Sequence, residues 1–462
     1  MTTIRPLPPA GASLIYRITR WSAYLGLRLF YRRLDAIEPR NFPADGTVVL
    51  AANHPNYIID ALAIATRTGR QIHFVAKGPL LDRNPVLSPF LRRLGVIPIY
   101  RAEDDPAGRH DNRSSYEHCA ALLQRGGVIC MFAEGRSHPE PRLRDLRTGT
   151  ARIVLESEAR DGYRLGVQLI PVGLYFPQED RYFTDGVVVF GQPIPLDPFL
   201  AQHRDQAGKA VRALTAEIQE RLRALTLHVP DPGWFEFVEQ MHDLQYPANG
   251  SALDQLQRSQ RVSAAVERFR ADRPVQAEQF RARVGRLWHR REAYRRHRLP
   301  VADPVAHRRG LTHRLRDAAA IPVASLGFLY HAPPFLVPKL WARFLVPSRE
   351  KKAFVKFLVG VPVFLAWYGA TLRLLWPGNG RRALLLLAVA PLSGLLALRS
   401  RAHRRRWFDA WRRIDTTSDA ELGSTVAAER QALLDEFAPW GEPPAPSPSP
   451  SDTSADPVPH RD

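Results

Sequence analysis

Between residues 45 and 200, six short apolar runs rich in β-branched side chains (TVVLAA, QIHFVA, VIPIY, VICMF, VQLIPVGLYF and VVVFGQPI) alternate with stretches of helical period. DALAIATRT, SSYEHCAALLQR and TARIVLESEAR are the clearest of these helices. Such alternation predicts an α/β domain in layers, with a sheet covered by helices. Functional groups in that architecture gather where strands end.

The first run has the most informative ending. In VVLAANHPNYIID the apolar stretch Val48 to Ala52 stops at Asn53, His54, Pro55 and Asn56, and a carboxylate follows at Asp60. A neutral imidazole near pH 7 is suited to take a hydroxyl proton, and a carboxylate bonded to its other nitrogen fixes the tautomer and steadies the imidazolium. Taken alone, these residues read first as a capping histidine with Asp60 in a helix's first turn. On an uninterrupted helix positions 54 and 60 point to different faces, so contact between them requires a turn, for which Pro55 and Asn56 are appropriate.

Three further blocks place unusual polar residues at strand ends: GVIPIYR at 95–101, FAEGRSHPEP at 132–141 and LIPVGLY at 169–175. With ANHPNYIIDAL at 52–62 they resemble, in order, the His-Asp, isoleucine-proline, Phe-Pro-Glu-Gly and Val-Pro blocks of the glycerolipid acyltransferase family, the glycerol-3-phosphate and lysophosphatidate acyltransferases. The resemblance covers roughly residues 45 to 200. It implies a layered α/β domain with a central mixed sheet flanked by helices. It also implies transfer of a fatty acyl group from an acyl thioester, on coenzyme A or acyl carrier protein, to glycerol 3-phosphate, with lysophosphatidate as the alternative acceptor. His54 is then the general base and Asp60 its orienting acid, with no serine or cysteine acyl-enzyme, metal or other cofactor required.

On the substrate side the resemblance implies Arg101 at the glycerol phosphate, where a permanent cation binds phosphate bidentately. Glu134 would orient neighbouring donors, Gly135 would let backbone approach a ligand, and Arg136 and Ser137 would add phosphate contacts. Asn56 and Lys77 complete the polar set, and Pro171 with Val172 would shape the acyl-chain side. Two departures stand out. Five residues rather than four separate His54 from Asp60, as in a glycerol-3-phosphate acyltransferase subgroup of fungi and bacteria, and Ala133 and Arg136-Ser137 replace the usual proline and threonine-arginine. His138 is the best rival base, with Glu140 as the only carboxylate at comparable spacing. A reading of a different class is a non-catalytic membrane-tethered protein that binds lipid or nucleic acid.

At 462 residues the chain exceeds one ordinary domain, and its formal charge of +19, almost all arginine, points to anionic partners: acidic substrates, carriers or lipid headgroups. Two cysteines without metal spacing exclude a zinc or disulfide framework and fit a reducing compartment. No secretory signal pattern opens the sequence. Residues 1–40 instead predict a basic amphipathic interfacial helix, with Leu14, Ile18, Trp21, Leu25 and Phe30 on its apolar face and Arg17, Arg20, Arg28, Arg32 and Arg33 at the margins.

Beyond the catalytic-size region 41–230, residues 231–320 predict a basic helical extension lacking any RNA-module signature, so nucleic acid is not expected as a partner. Residues 321–400 predict membrane association. Two apolar segments, 354–376 and 383–398, suggest a helical hairpin, spanning or entering one leaflet, with positive clusters on a cytoplasmic side at its outer ends. The stretch 321–341 is expected to break at Pro333 and Pro334. Residues 401–462 read as a basic segment and a disordered Pro/Ser-rich tail.

Overall fold

The computed structural model describes residues 12–82, 87–100, 112–138, 140–177, 184–246, 250–297, 311–345, 349–377 and 417–441, together with positions 380, 381, 385, 389–391, 393 and 394. Helix α1 (Leu14–Phe30) starts where the Ser13 hydroxyl accepts from the Tyr16 N–H. The chain continues through β1 (Tyr31–Ile37), β2 (Val48–Ala52), α2 (Ile58–Arg67), β3 (His73–Lys77), α3 (Gly78–Asp82), α4 (Leu87–Arg93), β4 (Ile97–Ile99), α5 (Arg113–Gln124) and β5 (Val128–Phe132). Then come α6 (Gly149–Arg160), β6 (Gln168–Tyr175), β7 (Thr184–Phe190) and α7 (Asp197–Leu225).

The seven strands form one mixed sheet in the order β1-β7-β6-β2-β5-β3-β4, parallel except for the β6–β7 pair. β2 is buried along its whole length, and its alternation divides the core. Val49 and Ala51 pack with Cys119, Leu123, Ile153, Val154, Leu214 and Ile218 from α5, α6 and α7. Val48, Leu50 and Ala52 pack with Leu27, Phe30, Ile59, Ala63 and Ile64 from α1 and α2. The result is a helix–sheet–helix sandwich in which the central strand is covered on both faces, which is why its sequence is a continuous apolar run.

The six expected strands are present, and a seventh, β1, lies where the sequence suggested the end of the first helix. YRRLDAI carries three charges, yet it pairs in parallel with β7, and Arg32 meets Asp185 through two bonds of 2.8 and 2.6 Å. Helix α1 also sits differently from expectation. Its inner face is Tyr16, Arg20, Ala23, Leu27 and Phe30, so Phe30 belongs to the core and Arg20 is buried. Arg20 caps α2, donating from Nε to the Ala65 carbonyl at 2.8 Å and from Nη2 to the Thr68 carbonyl at 2.5 Å, and the Tyr16 hydroxyl accepts from the Ile72 N–H. These anchors turn Leu14, Ile18, Trp21 and Leu25 outward, exposed by 69, 56, 60 and 43%.

Helices α11 (Leu311–Leu345) and α12 (Arg349–Leu375) pack along each other, joined by bonds from His331 to the Tyr368 hydroxyl at 2.9 Å and from Tyr330 to Thr371 at 2.7 Å. The expected break at Pro333 and Pro334 is absent: α11 runs through both, because its packing on α12 offsets the backbone bonds the prolines remove. The expected transmembrane hairpin is likewise not shown. No helix among the described residues is long and apolar enough to cross a membrane. In α12 the stretch between Lys356 and Arg373 is shorter than the about 20 residues a hydrocarbon core requires. Most of the second apolar segment, 383–398, lies outside the described residues.

Residues 234–249, 258–297 and 415–462 make a separate unit. Within it α8 (Phe235–Gln245), the later part of α9 (Ala252–Asp272) and α10 (Pro274–His297) enclose an aromatic core of Phe237, Phe269 and Phe280. A C-terminal helix, Thr417–Gly441, adds Phe437 and Trp440 to that core and pairs Glu436 with Arg283. This helix lies inside the segment read as basic linker and tail. Its two aromatic residues, Phe437 and Trp440, both meet the Phe269 ring.

Candidate active site

Two parallel strand ends build the site. The register places Ala52 beside Phe132, and the pairing continues one step further, with the Ala133 N–H donating to the Ala52 carbonyl at 2.9 Å. Residues 53–54 therefore leave the sheet alongside residues 133–138. On the other flank the Asn53 side chain mimics a strand partner. Its Nδ2 donates to the Leu174 carbonyl at 3.0 Å and its Oδ1 accepts from the Leu174 N–H at 2.7 Å, so the exit of β2 is tied to β6.

His54 follows directly. Its Nδ1 lies 2.7 Å from Asp60 Oδ2, and its ring stacks on Phe132 with centroids 3.8 Å apart and planes 9° from parallel. The side chain is 16% exposed while that of Asp60 is fully buried. With Nδ1 engaged, Nε2 is the ring nitrogen without a hydrogen bond among the described residues. Contact across positions 54 to 60 is made by a turn: Pro55 and Asn56 redirect the chain, α2 begins at Ile58, and Asp60 sits in its first turn. Tyr57 completes the turn at φ 50° and ψ −134°, a conformation that costs a non-glycine residue about 1–3 kcal/mol. The surroundings hold it there, since its N–H donates to Ser137 Oγ at 2.9 Å.

Burial is the main influence on the pair. It lowers the pKa of His54 to about 3, with the Glu134 carboxylate acting in the opposite sense and His138 and Lys77 adding to the lowering. It raises Asp60 well above the usual carboxylate range, countered by the Asn56 N–H at 2.7 Å from Oδ2, while Glu134 adds to the rise and His138 opposes it. The pair thus resists carrying charge, and His54 rests as a neutral imidazole.

Several expected site residues have structural partners. Asn56 is buried, donating from its backbone to Asp60 and from Nδ2 to the Tyr31 hydroxyl at 3.0 Å. Glu134 is buried beneath the dyad, where Oε1 accepts from the His54 N–H at 2.9 Å. Gly135 has φ +70°, the left-handed region that favours glycine, and a Cβ there would meet Arg147 at 3.3 Å. Arg136 is exposed beside it, and Ser137 is the acceptor for Tyr57 described above. Lys77 ends β3 in an exposed position, near enough to act on His54 electrostatically. Pro171 is buried inside β6 opposite Ala51, its carbonyl accepting from the Gly191 N–H at 2.8 Å. Arg101 lies outside the described residues.

The rival base proves to be differently placed. His138 is buried and pairs through Nε2 with Glu134, not with Glu140, which instead binds Arg142 and Arg144. Asn53, Phe132 and Tyr31 were not singled out from the sequence. Asn53 alone left a signal there, as the first polar residue after a buried strand.

Known proteins resemble this region. Residues 33–175 match the family model described as Acyltransferase. Over 126 residues the chain is 27% identical to the glycerol-3-phosphate O-acyltransferase 2 of Saccharomyces cerevisiae, an alignment covering 27% of this chain and 17% of that protein. It is 26% identical over 141 residues to an uncharacterized acyltransferase of Schizosaccharomyces pombe, covering 30% of this chain and 21% of the relative. The chain thus spans about a fifth of the length of either relative. The crystal structure of the 1-acyl-sn-glycerophosphate (LPA) acyltransferase, PlsC, from Thermotoga maritima aligns with a TM-score of 0.32 and 17% identity, over 45% of this chain and 80% of that one, a score too low to establish shared geometry.

Proposed function

From the match of residues 33–175 to the Acyltransferase family model, we propose that this chain is a glycerolipid acyltransferase that transfers a fatty acyl group from an acyl thioester to glycerol 3-phosphate. The observation that carries the reading is the His54–Asp60 contact at the exit of the central strand. In the reaction, His54 Nε2 removes the proton of the acceptor hydroxyl as its oxygen attacks the thioester carbonyl. Asp60 holds Nδ1 and steadies the imidazolium. Collapse of the tetrahedral intermediate breaks the carbon–sulfur bond, and the departing thiolate takes the proton back from His54. The products are the ester and a free thiol, and the base is regenerated without a covalent enzyme intermediate.

Glycerol 3-phosphate is favoured over lysophosphatidate by the five-residue spacing between His54 and Asp60 and by the activity for which the yeast relative is named. The cations Lys77 and Arg136, and Arg101 at the close of the GVIPIYR block, supply the charge a phosphate monoester requires. The outward apolar face of α1, margined by Arg17 and Arg28, supports work at an anionic lipid surface, where the acylated product partitions.

The experiment is a competition. Full-length protein in detergent is given an acyl-CoA with equal concentrations of glycerol 3-phosphate and lysophosphatidate, each isotopically distinct. Preferential formation of the mono-acylated product is expected. Preferential acylation of lysophosphatidate assigns the second acceptor instead.

A further inference from the structure

We propose that His138 is a positioning residue for the base: through Glu134 it fixes the backbone of His54 and so the aim of the imidazole. The proposal rests on the acyl-transfer reading above and adds a residue that this reading does not use.

The peptide at His54 is gripped at both ends. Glu134 Oε1 accepts from its N–H at 2.9 Å, and the His138 N–H donates to its carbonyl at 3.1 Å. The second carboxylate oxygen, Glu134 Oε2, accepts from the Arg144 N–H at 3.0 Å and pairs with His138 Nε2. The side chains of Glu134 and His138 are 2 and 6% exposed. A carboxylate buried so deeply keeps one oxygen aimed at a backbone N–H only while its other oxygen is tied. Removing a donor leaves a charge short of partners in a dry site, and it then turns towards what donors remain.

His138 has no competing anchor. Its Nδ1 is buried without a hydrogen-bond partner among the described residues, so Glu134 alone among side chains orients the ring. Native structures leave few such atoms unsatisfied. That this one is tolerated fits a residue retained for its other nitrogen. The same burial and the commitment of Nε2 exclude His138 as the base itself. The region therefore holds two carboxylate–histidine pairs in series: Asp60 orients the ring of His54, and His138 orients the carboxylate that holds its backbone.

The test uses full-length protein labelled with nitrogen-15 at histidine, as wild type, His138→Ala and His138→Gln. The glutamine amide nitrogen falls near the position of Nε2 and can donate to Glu134. For His138→Ala, kcat is expected to fall about 100-fold, with the acceptor KM changed less than about threefold. His138→Gln is expected to return kcat to within about tenfold of wild type. The ionisable groups facing His54 are Asp60 on α2, Glu134 and His138 after β5, and Lys77 on β3; because His138 works to lower the His54 pKa, the His54 titration midpoint should rise in the alanine variant.

Wild-type kcat in His138→Ala, a loss borne wholly by KM, or a glutamine variant as impaired as alanine overturns the proposal. If the wild type itself acylates neither acceptor, the enzymatic reading fails on that result. The histidine titration then decides the brace separately, and a His54 midpoint and Nδ1–H resonance unmoved in His138→Ala refute it.

Discussion

At the scale of single residues, the account turns on a histidine kept neutral by its surroundings. Burial lowers the His54 pKa well below the usual 6.5, so the neutral, proton-accepting form persists as pH falls through the range where a free imidazole would charge. The sign is therefore definite. The acid limb of kcat/KM should lie below pH 6.5, measured on glycerol 3-phosphate under non-saturating conditions; a limb at or above 6.5 contradicts the burial given to His54 here. The pair was legible in the sequence because the companion blocks at three other strand ends singled out His54 and Asp60, and the extra intervening residue announced a turn. Its cost was not legible, since nothing in NHPNY reveals that Tyr57 adopts φ 50° or that Ser137 restrains it. Nor was the Glu134–His138 brace, which joins residues 80 or more positions away to the His54 backbone, a contact that no local pattern encodes.

At the scale of elements, the buried parallel strands and the helices α2, α5 and α6 could be read from apolar runs and helical period, because their burial and their composition agree. β1 hid because it is a charged edge strand, its Arg32 paired with Asp185 of β7, and α1 hid its orientation because a buried arginine caps α2. Knowing which side of α1 faces out makes a prediction possible. Replacing Ile18 and Trp21 together by glutamate alters two exposed positions and should spare the fold. Co-flotation with vesicles of phosphatidylglycerol and phosphatidylethanolamine should nevertheless fall at least about tenfold, since each lost side chain removes roughly 1.5–3 kcal/mol of apolar burial in the lipid. Unchanged flotation would move the lipid contact away from α1.

At the scale of the whole molecule, the chain carries a formal charge of +19 and a buried His54–Asp60 pair; under the proposed reading, cations gather anionic substrate and the desolvated site performs the proton transfer. The α/β unit holds every part of the proposed dyad: the central strand delivers His54, its two neighbours β5 and β6 fix the exit, and α2 presents Asp60. The most direct measurement of that claim is the initial rate of acyl-CoA-dependent acylation of glycerol 3-phosphate by the full-length protein and by His54→Ala, assayed side by side with matched folding by circular dichroism. The account predicts turnover by the wild type and a loss of at least about 1,000-fold in the alanine variant. Full turnover by a folded His54→Ala protein would contradict it.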